Sequence, residues 1–420
     1  MDYVDRIGVV KSWKARFFTI WAGQQASLFG SQIVQFALVW WLTQKTGSAT
    51  VLATATLVAM LPQIFVGPFS GALVDRLSRR WVMVVADSAI ALVSLALAYL
   101  FWTGGIRVWH IYLAMALRSA GGGFHWPAMA ATTPLMVPER HLTRVAGLNQ
   151  AMSGALNIVA PPLGAVFLSL LPMHGITGID VFTALVAVAP LLFIPIPQPA
   201  RAEGSRSTYL ADLKEGFRYV WAWKGLLYLM GFATLINFVV NPAFSLLPLL
   251  VKAHFGGGAL ELSWVESAWG IGMVAGGLLL SVWGGFQRRI YTSLTGVLGM
   301  GAAILGVGVL PAGALYVALG LFLLAGLMNP ITNGPLMAIL QSRVAPEMQG
   351  RVFSLLSSLV TAISPLSLAV AGPLADLIGI QPLYLIAGVG ILGLGFLALL
   401  TPAVVHVEEG RAPVEAAPEA

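Results

Sequence analysis

Apolar residues in this chain run on in stretches of about twenty, separated by short polar interruptions. Twelve such stretches lie near 17–43, 49–73, 81–101, 109–135, 146–171, 179–197, 226–251, 263–286, 290–310, 314–341, 352–378 and 382–402. A helix rises about 1.5 Å per residue and a hydrocarbon core is about 30 Å thick, so each stretch predicts one membrane-spanning helix. The first is too long and too polar, with Gln24, Gln25, Gln32 and Gln35, for a cleaved leader, and no small-residue cleavage site follows it.

The longest interruption, 198–225, falls between the sixth and seventh stretches. It opens on a Pro- and charge-bearing linker. Tyr209, Leu210, Leu213, Phe217, Val220 and Trp221 then recur at helical spacing, with Asp212, Lys214, Glu215 and Arg218 opposite. That pattern predicts an amphipathic helix lying in the membrane interface. The expected organisation is an N-terminal segment 1–16, a six-helix bundle 17–200, a linker with the amphipathic helix 201–225, a second bundle 226–402 and a tail 403–420. The halves repeat weakly: Pro127 aligns with Pro335, Val137-Pro138-Glu139 with Ala345-Pro346-Glu347, and Arg144-Val145 with Arg351-Val352. Two parallel six-helix halves are a common plan among secondary transporters.

Charge orients the spans. If both termini lie in the cytoplasm, nineteen of the 23 Lys and Arg fall on that side. The opposite face keeps Lys45, Arg107 and Lys252, and Arg118 lies inside a span. The positive-inside rule therefore puts both ends in the cytoplasm of a multi-pass protein of the plasma (cell inner) membrane. Composition agrees. Of 420 residues 58% are hydrophobic and 10% charged, where soluble domains carry roughly 25%. A soluble enzyme is excluded, and the net charge of +6 belongs to cytoplasmic loops, with no nucleic acid implied. There is no cysteine, hence no disulfide or thiolate chemistry, and 46 glycines suit helices packed closely in lipid. Walker A, H-E-x-x-H and G-x-S-x-G patterns are absent, so neither enzyme activity, cofactor nor metal is expected.

One loop carries the most information. Between the second and third spans stand Gly67, Gly71, Asp75, Arg76, Arg79 and Arg80, two small residues for close helix approach followed by a compact charge cluster. This spacing resembles the major facilitator superfamily pattern G-x-x-x-(D/E)-(R/K)-x-G-(R/K)-(R/K), with Ser78 at the second glycine. Leu117-Arg118-Ser-Ala-Gly121 is similar to the family's R-x-x-x-G element. Ala160-Pro161-Pro162-Leu163-Gly164-Ala165 resembles its antiporter G-P-x-x-G-G element, with alanine at both ends, and marks Pro161, Pro162 and Gly164 as a helix-packing motif. The stretch Asp212–Trp221 resembles the macrolide-efflux and enterobactin-exporter branch. The resemblance implies an all-α membrane protein with twelve transmembrane helices in two six-helix pseudo-repeat bundles. It also implies a conformational switch in the basic loop and a role for Arg118 in proton coupling.

Ionisable residues at membrane depth are functional candidates by default. Arg118, Asp87, His125 and Glu266 are the coupling candidates; Asp87 is a partner for Arg118 or the basic loop, and His125 lies two turns from Arg118 on one face. Asp180 and Asp376 fall near predicted helix ends and read as solvated. The middle of the first span has no carboxylate but offers Gln24, Gln32 and Gln35. With Trp126, Asn237, Asn241, Phe244, Asn329 and Asn333 these form the candidate substrate cavity, rich in amides and aromatics and poor in charge. Such a surface fits an amphiphilic, uncharged or weakly cationic organic molecule. The expected partners are that small molecule, protons as coupling ion and membrane lipid, and the expected oligomeric state is a monomer. The expected function is export of a drug-, macrolide- or siderophore-like compound by proton antiport with alternating access. A facilitator or importer of the same fold, or an uncoupled lipid-handling scaffold, are the alternatives.

Overall fold

The structure is a computed structural model that describes residues 13–197 and 209–409; within these, the side chains of 67–69, 71–76, 209–214 and 346–347 lie outside the described set. Among the described residues there is no strand. The first half of the chain forms α1 (Trp13–Thr46), α2 (Ala49–Arg76), α3 (Arg79–Trp102), α4 (Val108–Met136), α5 (Glu139–Leu170) and α6 (Met173–Phe193). The amphipathic stretch is α7 (Tyr209–Ala222). The second half forms α8 (Lys224–Ser245), a short α9 (Leu247–Leu249), α10 (Ala259–Trp283), α11 (Arg289–Val309), α12 (Leu315–Arg343), α13 (Pro346–Ile378), α14 (Ile380–Leu400) and α15 (Pro402–Val405).

Eleven of the described helices are long and apolar enough to cross a bilayer. The twelfth long helix, α4, has 29 residues, and Arg118, Ser119, three glycines and His125 dilute its hydropathy. The chain is a multi-pass membrane protein.

Local chemistry sets the ends. The Arg107 backbone N–H donates to His110 Nδ1 (3.0 Å) where α4 begins, and the Gly258 N–H donates to Glu261 Oε2 (2.7 Å) at the start of α10. The apolar run at 226–251, expected as one helix, is broken instead. Pro248 has no N–H to continue the ladder, so α8 stops at Ser245 and a π-helical turn, Leu250–His254, follows α9.

The chain divides into two compact units, Met1–Lys45 with Thr54–Gly204, and Thr46–Ala53 with Ser205–Ala420. In the first, α3 packs on α4 and α6, and Phe17, Ile20, Trp21, Met83, Met136 and Leu191 form one apolar cluster. In the second, α12 packs on α10 and α11, and α7 lies against α13. There Val220 is buried, Gly216 sits against the Arg351 backbone, and Arg351 pairs with Glu215 at 3.0 Å. Phe217 and Trp221 remain exposed on the other edge of α7.

Close helix approach is glycine-dependent on α10. A Cβ at Gly272 would run into the Leu323 carbonyl of α12, and one at Gly276 into that of Leu327. Their i, i+4 spacing lets the two backbones touch.

Asp376, expected to be solvated, acts as a cap. Within the second unit its carboxylate accepts from Ser48 Oγ (2.9 Å), the Ala49 N–H (2.6 Å) and the Thr50 N–H (3.0 Å), donors at the start of α2. Helix amides at an N-terminus have no intrahelical acceptor, and a negative charge there also suits the dipole. Asp376→Ala is expected to cost about 1 kcal/mol, the usual worth of such a cap. The check is the midpoint of thermal aggregation in detergent, which Asp376→Asn should shift less.

Candidate functional site

Three helices of the first unit meet through side chains at two levels. At one level Gln24 of α1, Asp87 of α3 and His125 of α4 converge, all buried. Gln24 Nε2 donates to Asp87 Oδ2 (3.0 Å), so its Oε1 faces His125 Nε2 (2.5 Å). An amide oxygen only accepts, which assigns a hydrogen to Nε2 of His125. The same nitrogen lies 3.4 Å from Asp87 Oδ1.

At the second level Arg118 of α4 forms an ion pair with Asp180 of α6. Ser31 of α1 donates to Asp180 Oδ1 (2.8 Å), and Ser94 of α3 donates to Asp180 Oδ2 (2.6 Å) and accepts from Arg118 (2.5 Å). Asp180 is fully buried, at 0% exposure. A charge so placed persists only when paired and hydrogen-bonded, and here both oxygens are engaged.

The two levels are related by a seven-residue step on every shared helix: Gln24 to Ser31, Asp87 to Ser94, His125 back to Arg118. Seven residues are two helical turns, about 10 Å along the axis. The carboxylate expected for Arg118 was Asp87; it is Asp180 instead. Asp180 appeared terminal because the apolar run was read from 179, whereas α6 starts at Met173 behind Pro172 and carries Asp180 two turns inward. Glu266 moves inward for the same reason, since α10 starts at Ala259. It has no hydrogen-bond or ion-pair partner among the described residues; of its neighbours in sequence, Trp264 stacks on Tyr316 and Trp269 packs at a tilt against Phe244.

The remaining candidates divide. Gln32 is exposed and Gln35 half-buried, and Trp126 is exposed. Asn237, Asn329 and Asn333 line one cavity in the second unit, of about 100 Å³. That is room for about three waters, well short of a drug-sized ligand. Asn237 and Asn333 also bond back to the carbonyls of Ala233 and Asn329, while Asn241 reaches Ser364 Oγ of α13 at 2.8 Å. Phe244 packs on Trp269, ring centroids 4.2 Å apart. In the helix-packing motif, α5 continues through Pro161 and Pro162, and Gly164 receives the Phe36 ring of α1. Of the basic loop, Arg79 is buried and Arg80 donates to the Leu192 carbonyl. Gly67, Gly71, Asp75 and Arg76 belong to α2, and what surrounds them lies outside the described residues. Gly326, which the repeat aligns with Arg118, sits against the Trp269 backbone, so the second unit has no room for a side chain where the first carries its guanidinium.

A family model, Major Facilitator Superfamily, matches residues 20–367. The chain is a member of the major facilitator superfamily. This facilitator is 35% identical over 378 residues to Macrolide efflux protein A of Streptococcus pyogenes, covering 90% of this chain and 93% of that protein. It is 27% identical over 389 residues to Multidrug efflux pump Tap of Mycolicibacterium fortuitum, covering 89% and 92%. Its fold is that of a POT family transporter (TM-score 0.71, 10% identity, 94% of this chain and 96% of that one). A bacterial homologue of the iron transporter ferroportin shares it too (TM-score 0.70, 14% identity, 94% and 99%). Like other major facilitators it is a transporter of small molecules and not an enzyme.

Proposed function

We propose that this facilitator exports a small amphiphilic organic compound, of macrolide or similar drug-like character, by proton antiport with alternating access. In this reading it resides in the plasma membrane, works as a monomer and keeps both termini in the cytoplasm. The export direction and substrate class are carried over from the efflux relatives. The coupling rests on one observation: Asp87 and His125, a carboxylate and an imidazole, are buried together and share Gln24. Groups that bind and release a proton during transport must be shielded in one state and must change partners in another, and this pair joins three helices by side chains alone. Arg118 is already neutralised by Asp180, which leaves no free intramembrane cation in this cluster for an anionic substrate. Glu266 is the reserve carboxylate of the second unit.

The test is transport of a radiolabelled macrolide in proteoliposomes. Asp87→Asn and His125→Gln are expected to lower flux driven by an imposed pH gradient about a hundredfold or more, the lower end of what a proton-transferring group contributes. Substrate counterflow, which needs no net proton movement, should persist in the same variants. Gradient-driven flux at the wild-type level in both variants would refute the coupling, and no macrolide counterflow in the wild type would refute the substrate class.

A further inference from the structure

Glu266 stands two turns inside α10, about 10 Å along the axis from Ala259, and no hydrogen bond or ion pair engages it among the described residues. Asp87 and Asp180, the buried carboxylates of the first unit, both have partners. A carboxylate held at this depth with none is costly and marks a functional position.

Exposure sorts α10 into three faces. Ile271, Val274, Leu278 and Val282 are exposed and fall within about 80° of one another around the axis, the face that meets lipid chains. Gly272 and Gly276 touch α12, and the Trp269 backbone meets Gly326 there. Glu266, Met273 and Gly277 make a third face, about 120° from the first. Met273 and Gly277 are exposed on it, and a Cβ at Gly277 would meet nothing within 4 Å. Ionisable side chains in spans turn to the protein interior or to water and away from lipid. The third face is therefore the one that solutes reach.

Its chemistry is selective. Trp269 follows Glu266 by three residues, a spacing that makes neighbours on a helix. The Trp269 ring packs on Phe244 of α8, which in turn meets Phe322 of α12 edge-on, centroids 6.5 Å apart. Ring faces attract organic cations, and the thioether of Met273, two turns beyond Glu266, adapts to irregular apolar shapes. A hard metal ion would ask for several oxygens, and no cluster of three or more ligating side chains occurs among the described residues. We infer that Glu266 is the counter-ion for the positive head of an amphiphilic cation, an ammonium or other onium group, whose apolar body lies along Met273 and Gly277. The assignment rests on the export of an amphiphile proposed above and narrows the substrate to cationic members of that class. Asp87 and His125 carry the proton in the first unit, and the second unit holds the substrate's charge.

The test is binding of radiolabelled tetraphenylphosphonium, a cation at every pH, to the purified protein in nanodiscs. Glu266→Gln is expected to weaken it about tenfold or more, the smaller end of what a contact to a charged group contributes. Glu266→Asp keeps the charge and should fall in between, and Asp376→Asn, which removes an acid elsewhere, should bind as the wild type does. In the wild type, neutral triphenylphosphine oxide should compete far less well than the unlabelled cation, a comparison that needs no variant to fold. Equal affinity in the wild type and Glu266→Gln, or equal competition by the cation and the oxide, would overturn the assignment. If Glu266→Gln kept that affinity and lost gradient-driven flux, the residue would be a proton carrier instead. The substrate class is read separately: an amine-bearing macrolide should displace the probe, and its neutral N-acetyl analogue should do so less well. Failure of both to displace a probe whose binding depends on Glu266 would refute the macrolide class and leave the cation site standing.

Discussion

Asp180→Ala is expected to be nearly lost from the membrane as folded protein. The substitution leaves the Arg118 guanidinium inside the first unit without its counter-charge, and it strips Ser31 and Ser94 of their acceptor. Removing one partner of a buried ion pair costs about 3–5 kcal/mol, a large share of the net stability of a domain. Lipid offers no water to take the place of the carboxylate. Fluorescence-detected size exclusion of a tagged protein gives the readout, a monodisperse peak falling to a small fraction of the wild-type height. Asp180→Asn keeps an oxygen for the serines and should fall in between. The double variant Arg118→Met with Asp180→Leu removes both charges together and should recover much of the peak, because replacing a whole buried pair by apolar groups is often neutral. A wild-type peak from Asp180→Ala would show that Arg118 does not depend on this carboxylate.

The second large effect sets two adjacent glycines against each other. At Gly276 a methyl group would overlap the Leu327 carbonyl and come within 2.8 Å of Pro330 Cγ on α12. At Gly277 a methyl group would meet nothing within 4 Å. Backbone cannot rotate away as a side chain can, so Gly276→Ala must push α10 and α12 apart, and overpacking of this kind costs about 1–3 kcal/mol. Gly277→Ala should instead stabilise by about 0.5–1 kcal/mol, by narrowing the freedom of the unfolded chain. Thermal midpoints in detergent should therefore move in opposite directions from one residue to the next. Equal shifts would mean that α10 and α12 do not pack through Gly276.

The apolar runs located all twelve long helices to within a few residues at most ends, since a bilayer demands a length and a hydropathy that few other contexts impose. Apart from the break at Pro248, the larger errors lie at helix starts and share one cause. The continuous apolar run begins inside the helix, while the helix begins at its cap: α5 starts seven residues earlier at Glu139, behind Pro138, and α6 six earlier at Met173. Those missing turns shifted Asp180 from the interior to the surface and hid the partner of Arg118. Gln24, Asp87, His125 and Arg118 were legible as intramembrane polar groups. Their pairing was not, because it depends on the rotational setting of four helices, which a hydropathy profile does not contain. The seven-residue steps from Gln24 to Ser31 and from Asp87 to Ser94 were present in the sequence and would have suggested it. For Asn237, Asn329 and Asn333, residue type alone does not tell a hydrogen bond within the helix from a contact with substrate.

Because the same two-turn step separates the polar levels on α1, α3 and α4, the levels act as a pair of pins through one stack of helices. Sliding one of these helices by a single turn, about 5.4 Å, would break contacts at both pins at once. Intermediate shear is closed off, and any motion of α1, α3 and α4 that keeps the pins seated must carry the three helices as a block. What remains adjustable without breaking the block is the placement of individual hydrogens within a level.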